Sequence, residues 1–306
     1  MKVIVCGGSG FLGSHVADAL EAAGHEVIIY DIKPSPYMRK TQKMIVGDIG
    51  DEGKVSQAIR GCDVVYNFSG IADIEEAARR PVDTVRTNIL GTAVLLEAAK
   101  DAGVSRFVFA SSLYVYSKAG SFYRSAKQAC ELLIENYHEV YKLPYTILRY
   151  GSLYGPRSDG SNFIHRIIQE ALAEGKIRRH GDGEELREYI HVCDAAKGSV
   201  EILADEFANQ HVILTGSQQM RIKDLLVMIR EMLGNKVSIE YLEPKESYHY
   251  EVTPYSFAPR IGKRLAGRTY LDLSQGILDS IYAMHEQLNR QAAHGSGAVS
   301  KTGAAK

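Results

Sequence analysis

The first half of the chain alternates between short, nearly continuous apolar runs and longer stretches in which apolar residues recur every three or four positions. Val3-Ile4-Val5-Cys6, Val27-Ile28-Ile29-Tyr30, Val64-Val65-Tyr66 and Phe107-Val108-Phe109-Ala110 are rich in β-branched and aromatic residues, the pattern of strands buried on both faces. Lys43 to Val46 predicts one more strand. Helices are predicted between them at Ser14 to Ala23, at Glu52 to Arg60, at Val82 to Ala102, where Val85, Ile89, Val94, Leu95 and Ala98 form an apolar stripe, and from Tyr123 to about Tyr141. Strands that alternate with helices through residue 150 require right-handed crossovers, so the pattern predicts an α/β fold built on a doubly wound parallel sheet.

Beyond residue 150 the pattern loosens. Ser161 to Glu174 reads as a helix, Lys176 to His180 as a basic turn, and Gly181-Asp182-Gly183 as a loop. Asp194 to Leu203 is expected to be a helix that returns to the sheet. His211 to Thr215 and Val237 to Tyr241 read as strands around a helix at Ile222 to Leu233, which predicts a smaller C-terminal substrate-binding domain. A last helix is expected at Ile277 to Leu288. The resulting partition is a dinucleotide-binding domain over 1–151, to which 187–204 returns, a substrate domain over 152–186 and 205–290, and a small, glycine-rich, disordered tail over 291–306.

Composition narrows the function classes. With 306 residues, 45% hydrophobic, 24% charged and a net charge of −1, the chain has a sizeable core, and nothing in the balance implies a nucleic-acid or membrane partner. The first residues already form a core strand and no apolar run reaches the ~18 residues of a membrane span, so a cytoplasmic protein without a signal peptide is expected. Cys6, Cys62, Cys130 and Cys193 are scattered without paired spacing, which points to buried reduced thiols. His180 and His191 lack partners at ligand spacing, so no metal site is expected.

The run that ends the first strand, Cys6-Gly7-Gly8-Ser9-Gly10-Phe11-Leu12-Gly13, leads straight into a helix. Glycines at such a turn let the backbone approach a pyrophosphate, which then rests against the free N–H groups and positive dipole end of the helix. The second strand ends in Asp31, eighteen residues past Gly13. A carboxylate there is placed to accept from the ribose 2′-hydroxyl of NAD and to repel a 2′-phosphate. Asp48 follows the third strand and has two readings, one facing the adenine end of a dinucleotide and one capping the helix that begins near Glu52.

Ligands of doubly wound sheets sit beyond the carboxyl ends of the strands, so the chemistry is sought where the strand ending at Ala110 opens into Ser111-Ser112-Leu113-Tyr114. Eleven residues after Ser112 comes Tyr123-Arg124-Ser125-Ala126-Lys127. Residues four apart share a helical face, so the Tyr123 phenol and the Lys127 ammonium can converge. A cation beside a phenol lowers its pKa from about 10 toward the working range of a general base, and Ser112 can hydrogen-bond the same substrate oxygen.

In this order the motifs resemble the extended short-chain dehydrogenase/reductase family, in its branch of nucleotide-sugar epimerases, dehydratases and reductases. The matching residues are Gly7-x-x-Gly10-x-x-Gly13, Asp31, Asp48-Ile49, Asn88-x-x-Gly91-Thr92, Ser111-Ser112-x-x-Val115-Tyr116, Tyr123-x-x-x-Lys127, Leu148-Arg149, Tyr154-Gly155-Pro156-Arg157 and Arg187-x-Tyr189-Ile190-x-Val192-x-Asp194. The resemblance implies a Rossmann domain and NAD as cofactor, held by the glycine turn with Phe11 and Leu12, by Asp31, Asp48, Ile49, Phe68 and Asn88, and by Tyr123 and Lys127. It implies Tyr123 as acid/base, Lys127 on the nicotinamide ribose, and Ser112 orienting the substrate. For a nucleotide-sugar diphosphate it implies Arg187, Ser152 and Arg260. A surface ion pair of Arg187 with Glu184, Glu185 or Glu188 is the competing reading. A homodimer is also implied.

Three departures from the family pattern bear on substrate. The loop between Ser112 and Tyr123 is short, Ser152 replaces a common asparagine, and Leu113-Tyr114 stand where dehydratases carry an Asp-Glu pair. The last absence argues against dehydration, which needs an acid and a base beyond the tyrosine. The leading reading is an NAD-dependent nucleotide-sugar epimerase. A net dehydrogenase or reductase of a nucleotide sugar or other secondary alcohol is the alternative, followed by a non-catalytic dinucleotide sensor.

Overall fold

The computed structural model describes residues 1–216, 219–244 and 248–251. Arg260, the helix expected at Ile277 to Leu288 and the tail over 291–306 lie outside the described residues.

The chain begins β1 (Lys2–Cys6), α1 (Phe11–Ala22), β2 (Glu26–Asp31), β3 (Lys43–Val46), α2 (Glu52–Ile59) and β4 (Val64–Asn67). There follow α3 (Ile74–Arg79), α4 (Pro81–Thr84), a π-helical turn at Val85–Leu90, α5 (Gly91–Ala102), β5 (Arg106–Ser112), a short 3₁₀ turn at Leu113–Tyr116, α6 (Ser121–Tyr141) and β6 (Tyr145–Tyr150). The later elements are β7 (Ser152–Tyr154), α7 (Phe163–Glu174), β8 (Lys176–His180), β9 (Leu186–His191), α8 (Val192–Glu201), β10 (Gln210–Leu214), β11 (Gln219–Arg221), α9 (Ile222–Met232) and β12 (Ser238–Leu242).

Seven parallel strands form the central sheet in the order β10-β6-β5-β4-β1-β2-β3. Strand residues face the two sides alternately, and this alternation builds two cores from one strand. Ile4 and Cys6 of β1 join Val55 and Ile59 of α2, Leu95 of α5 and Ile134 of α6, while Val3 and Val5 join Val16 and Leu20 of α1 and Ala195 of α8. The strand order reverses between β1 and β4, which opens a crevice at their carboxyl ends. A third apolar cluster, built on Ile167, Ile177, Leu226 and Ile229, lies under β8 and between α7 and α9.

Four sequence expectations change. Lys176 to His180 is strand β8, paired in parallel with β12 through Ser238↔Lys176 and Ile239↔Ile177, and not a turn. Its single apolar residue, Ile177, is fully buried, whereas Lys176 and Arg178 point outward to Glu240, Glu170 and Glu174; the paired charges masked the alternation. The strand at His211 belongs to the edge of the central sheet, where β10 pairs with β6, because Val212 and Leu214 pack on the core facing α1 and α8. The cap of α2 is Asp51, which accepts from Lys54 N at 3.0 Å; Asp48 lies outside the helix. Finally, the helix expected at Val82 to Ala102 is continuous but not uniform, since it carries a π turn at 85–90, which holds Asn88.

Candidate active site

The glycine turn after β1 is packed so closely that three of its positions, Gly7, Gly8 and Gly13, have no room for a side chain. Gly7 adopts φ +77°, and a Cβ there would lie 2.6 Å from the carbonyl carbon of Phe68 at the end of β4. At Gly13 a Cβ would lie 2.2 Å from Gly7 O, so this residue seats the first turn of α1 on the loop. Gly10 is different: among the described residues a Cβ there would meet Gly7 O alone, at 3.3 Å, which leaves the backbone open on its outer side. Phe11 and Leu12, half-buried, start α1 beside it.

Asp31 closes this region from the end of β2. Its Oδ2 accepts from Ser9 N at 3.0 Å and its Oδ1 from Lys33 N at 3.2 Å, so the carboxylate is fixed next to the glycine turn. Of the two nearby cations that could neutralise a 2′-phosphate, Arg39 is tied to Asp18 at 3.1 Å and Glu21 at 3.2 Å, and Lys40 is exposed. Asp48 keeps its carboxylate on Gly50 N at 2.8 Å and lends its carbonyl to the Tyr30 hydroxyl at 2.8 Å, with Ile49 buried after it. Phe68 stacks on Tyr66, their ring centroids 5.9 Å apart. Asn88, buried in the π turn, clamps the loop after β4 through both backbone groups of Ile71, at 2.8 Å and 2.9 Å. The crevice is thus lined by strand ends, a free-standing helix N-terminus and one fixed carboxylate, which fits a dinucleotide in chemistry and in close approach.

Ser112, Tyr123 and Lys127 come together as the spacing predicted. Ser112 ends β5, where its Oγ accepts from Tyr114 N at 3.3 Å and its side chain stands beside Tyr123 in the first turn of α6. Lys127 lies one turn further on the same face, donates to Ala110 O at 2.6 Å, and stands over the rings of Phe109 and Tyr123 at 4.7 Å and 5.6 Å. All three are buried. The expected depression of the phenol pKa is not what this geometry gives. Burial pushes Tyr123 up to about 12 and outweighs the lowering effect of nearby Ser112, while burial also lowers the Lys127 ammonium, opposed by Cys130 and Glu131.

Above Tyr123 sits a group of side chains that no motif signalled. Tyr114 packs edge-on against Tyr123 with centroids 6.1 Å apart, and its hydroxyl lies 2.5 Å from His249 Nδ1. Tyr250 lies between Tyr114, at 4.6 Å, and the guanidinium of Arg187, at 4.4 Å. The backbone ties this segment down on both sides, Gly120 N donating to Tyr248 O at 2.6 Å and Leu186 N to Glu251 O at 2.7 Å. The aromatic run Tyr248-His249-Tyr250 in a polar stretch was the sequence signal for it.

Arg187 is buried in β9, and its Nη1 donates to Leu186 O at 3.0 Å and Glu251 O at 3.3 Å. The surface ion pair considered for it does not form with Glu184 or Glu185, which are taken by Arg221, Lys223 and Arg179. Ser152, half-buried in β7, pairs with Tyr189 of β9 on the same small sheet. The two lone histidines make structural bonds, His191 accepting from Cys193 N at the start of α8 and His180 meeting Glu243 O.

A family model described as NAD dependent epimerase/dehydratase family matches residues 3–215. The chain is 28% identical over 277 residues to the UDP-N-acetyl-alpha-D-glucosaminuronate decarboxylase of Bacillus cytotoxicus, covering 81% of this chain and 85% of that protein. It is 27% identical over 272 residues to the UDP-glucuronate 4-epimerase of Thermodesulfobacterium geofontis, covering 78% and 83%. Among solved structures it is similar to the UDP-glucose 4-epimerase of Thermotoga maritima with UDP-glucose, at TM-score 0.78 and 26% identity over 84% of this chain and 90% of that one.

Proposed function

Since the chain belongs to the NAD dependent epimerase/dehydratase family, we propose that it inverts a ring carbinol of a nucleotide sugar through a transient keto sugar. That it is an enzyme using NAD to modify a sugar nucleotide is the coarser part of this statement, and membership carries it. When bound, NAD supplies a hydride acceptor that can return the hydride.

The protein's residues supply the rest. The turn Gly7 to Gly13, with Phe11 and Leu12 at its helix end, would cradle the pyrophosphate, Asp31 would accept from the adenosine ribose, and Asp48, Ile49, Phe68 and Asn88 would line the remaining cofactor surface. Tyr123 would remove the proton from the reacting hydroxyl and give it back, Ser112 would hold the same oxygen, and Lys127 would keep positive charge beneath the phenol and hold the nicotinamide ribose. Ser152 and Arg187, on adjoining strands of the small sheet, are the described candidates for the substrate's phosphates.

The observation that carries the reading is what surrounds Tyr123. Its hydroxyl meets Ser112 beside Lys127, so a redox half-reaction has its acid/base, while the two positions after Ser112 are a buried Leu113 and a phenol packed under Tyr250. Elimination of water would need a carboxylate pair there. Exposed apolar residues on α4, on the π turn and on α6, among them Val82, Val85, Leu90, Leu132 and Val140, support a homodimer through these helices.

The test is incubation of purified protein with UDP-, GDP-, CDP- and dTDP-sugars and substoichiometric NAD, following the sugars by NMR and NADH by absorbance. Inversion without net NADH is expected. Stoichiometric cofactor consumption with a keto or reduced product would replace epimerisation by net dehydrogenation or reduction.

A further inference from the structure

The face of α6 that carries Tyr123 and Lys127 continues one turn further, to a buried carboxylate with no part in the chemistry above. Glu131 follows Lys127 by four residues and Tyr123 by eight, so the three side chains form one row facing β5. Each reaches a different residue at the end of that strand: Tyr123 meets Ser112, Lys127 donates to Ala110 O at 2.6 Å, and Glu131 Oε1 accepts from Ser111 Oγ at 2.5 Å.

Glu131 is held from the next strand as well. Arg149 of β6, in register with Ser111, grips both carboxylate oxygens, Nε to Oε1 at 3.0 Å and Nη2 to Oε2 at 2.6 Å. The same guanidinium donates to the Tyr116 hydroxyl and lies 4.7 Å from that ring, in the turn that leads away from Ser112. One bidentate pair of a buried carboxylate and a half-buried guanidinium therefore joins α6, β5, β6 and the turn after Ser112. Two charges removed from water are a costly way to hold a core together, since apolar residues of similar volume do as well or better. What such a pair gives is fixed geometry, and the geometry it fixes is that of the serine, tyrosine and lysine.

We propose that Glu131 and Arg149 are positioning residues for the reaction: they strap α6 to the ends of β5 and β6 and so set the placement of Tyr123 and Lys127 against Ser112. The proposal rests on the acid/base role given to Tyr123 above. Charge acts alongside geometry, because Glu131 is one of the groups that favour the protonated form of buried Lys127, together with Cys130. The groups facing Glu131 are Arg149 and Tyr145 from β6, Ser111 from β5, Glu135 from its own helix, and His211 of β10, whose Nε2 is 3.9 Å from Glu131 and 3.1 Å from Glu135.

The test compares wild type, S111A, E131Q and R149Q on the NAD-loaded protein. In each variant kcat per folded molecule is expected to fall by on the order of tenfold to a hundredfold, with the NAD dissociation constant and sugar KM little changed, as for reacting groups displaced by a fraction of an ångström. A second readout needs no substrate: the titration of Lys127, followed by NMR of its labelled ε-carbon and assigned with K127R. E131Q is expected to lower the Lys127 pKa by about one unit, and R149Q to raise it, because it leaves the carboxylate uncompensated. A purely structural role would lower thermal stability and leave kcat per folded molecule and the Lys127 titration unchanged, and that result would overturn the proposal. If E131Q or R149Q fails to fold, S111A removes one hydroxyl from the strap and carries the kcat arm alone. If wild type turns over no sugar nucleotide, the functional reading fails, and the titration still decides whether the strap governs Lys127.

Discussion

Lys127 stands over Tyr123 with its ammonium 5.6 Å from the ring centroid, and it donates its hydrogen bond to the Ala110 carbonyl and so ties α6 to β5. The phenol itself is left at about 12 by burial. The protonated phenol is therefore the resting form of Tyr123 at neutral pH, and the base role proposed for it requires that bound cofactor and substrate lower its pKa.

Replacing Tyr123 with Phe removes that hydroxyl and little else. The ring keeps its packing against Ile74, Ala77 and Tyr114, so Y123F is expected to fold and bind NAD as wild type does. Turnover should drop by about a hundredfold or more, the usual loss when a general acid/base is deleted. Steady-state kinetics beside an NAD titration checks both halves, and wild-type kcat in Y123F would remove the tyrosine from the mechanism.

The cofactor preference follows from two carboxylate contacts. Asp31 is fixed by Ser9 N and Lys33 N at the glycine turn, and Arg39 is committed to Asp18 and Glu21. A 2′-phosphate would meet the carboxylate with Arg39 already committed to its own partners. NAD is expected to bind at least about tenfold more tightly than NADP, and D31N should narrow the gap by weakening NAD and relieving NADP. Calorimetric dissociation constants for both cofactors decide it; tighter NADP binding by wild type would overturn the role of Asp31.

The sheet and the Ser112-Tyr123-Lys127 group were legible in the sequence because they depend on local spacing: apolar runs of strand length, a glycine turn, and residues one helical turn apart. Strand β8 was not, since its outward Lys176 and Arg178 carry partners from α7 and β12 and hide a single buried Ile177. The group of Tyr114, His249 and Tyr250 above Tyr123 is hidden for a different reason. Its members are more than a hundred residues apart, 114 against 249 and 250, and meet only through tertiary contacts such as Gly120 N to Tyr248 O. The spacing brings Tyr123 and Lys127 onto one face of α6 but does not foretell the raised phenol, because burial does not show in the spacing of a motif.

Alkaline pH should unfold the protein through buried groups that take no part in the proposed chemistry. Tyr66 and Tyr150 converge on Ser199 under the sheet, Tyr66 donating to its carbonyl and Tyr150 sharing a hydrogen bond with its hydroxyl, both at 2.6 Å. Burial raises both phenols and the Cys6 thiol above their ordinary values. A group raised in the folded state contributes stability that is complete below its unfolded pKa and is lost as pH rises from there toward its folded value. The unfolded values are about 8.5 for the thiol and 10 for the phenols, so the melting temperature should hold near neutrality and fall increasingly above about pH 9. Y66F should start about 1 kcal/mol less stable for want of one hydrogen bond, and should fall less steeply above about pH 10. Melting curves across that range check the sign, and equal slopes for both proteins would contradict it.

The last expectation concerns assembly. Leu132 and Val140 of α6 are 60% and 66% exposed and, eight residues apart, lie on one helical face. Val82, Val85 and Leu90, from α4 and the π turn beside α6, are 67%, 49% and 54% exposed. An apolar face contributed by two neighbouring helices is self-complementary under a two-fold axis, where it forms a four-helix bundle. A stable dimer needs about 800 Å² from each partner, and two helices packed along their length can supply an area of that order. Light scattering at micromolar concentration should give twice the chain mass, and L132E/V140E, which buries two carboxylates at the centre of such a bundle, should give a monomer that still binds NAD. A monomeric wild type would contradict the dimer, as would a double variant that stays dimeric, since then some other surface joins the copies.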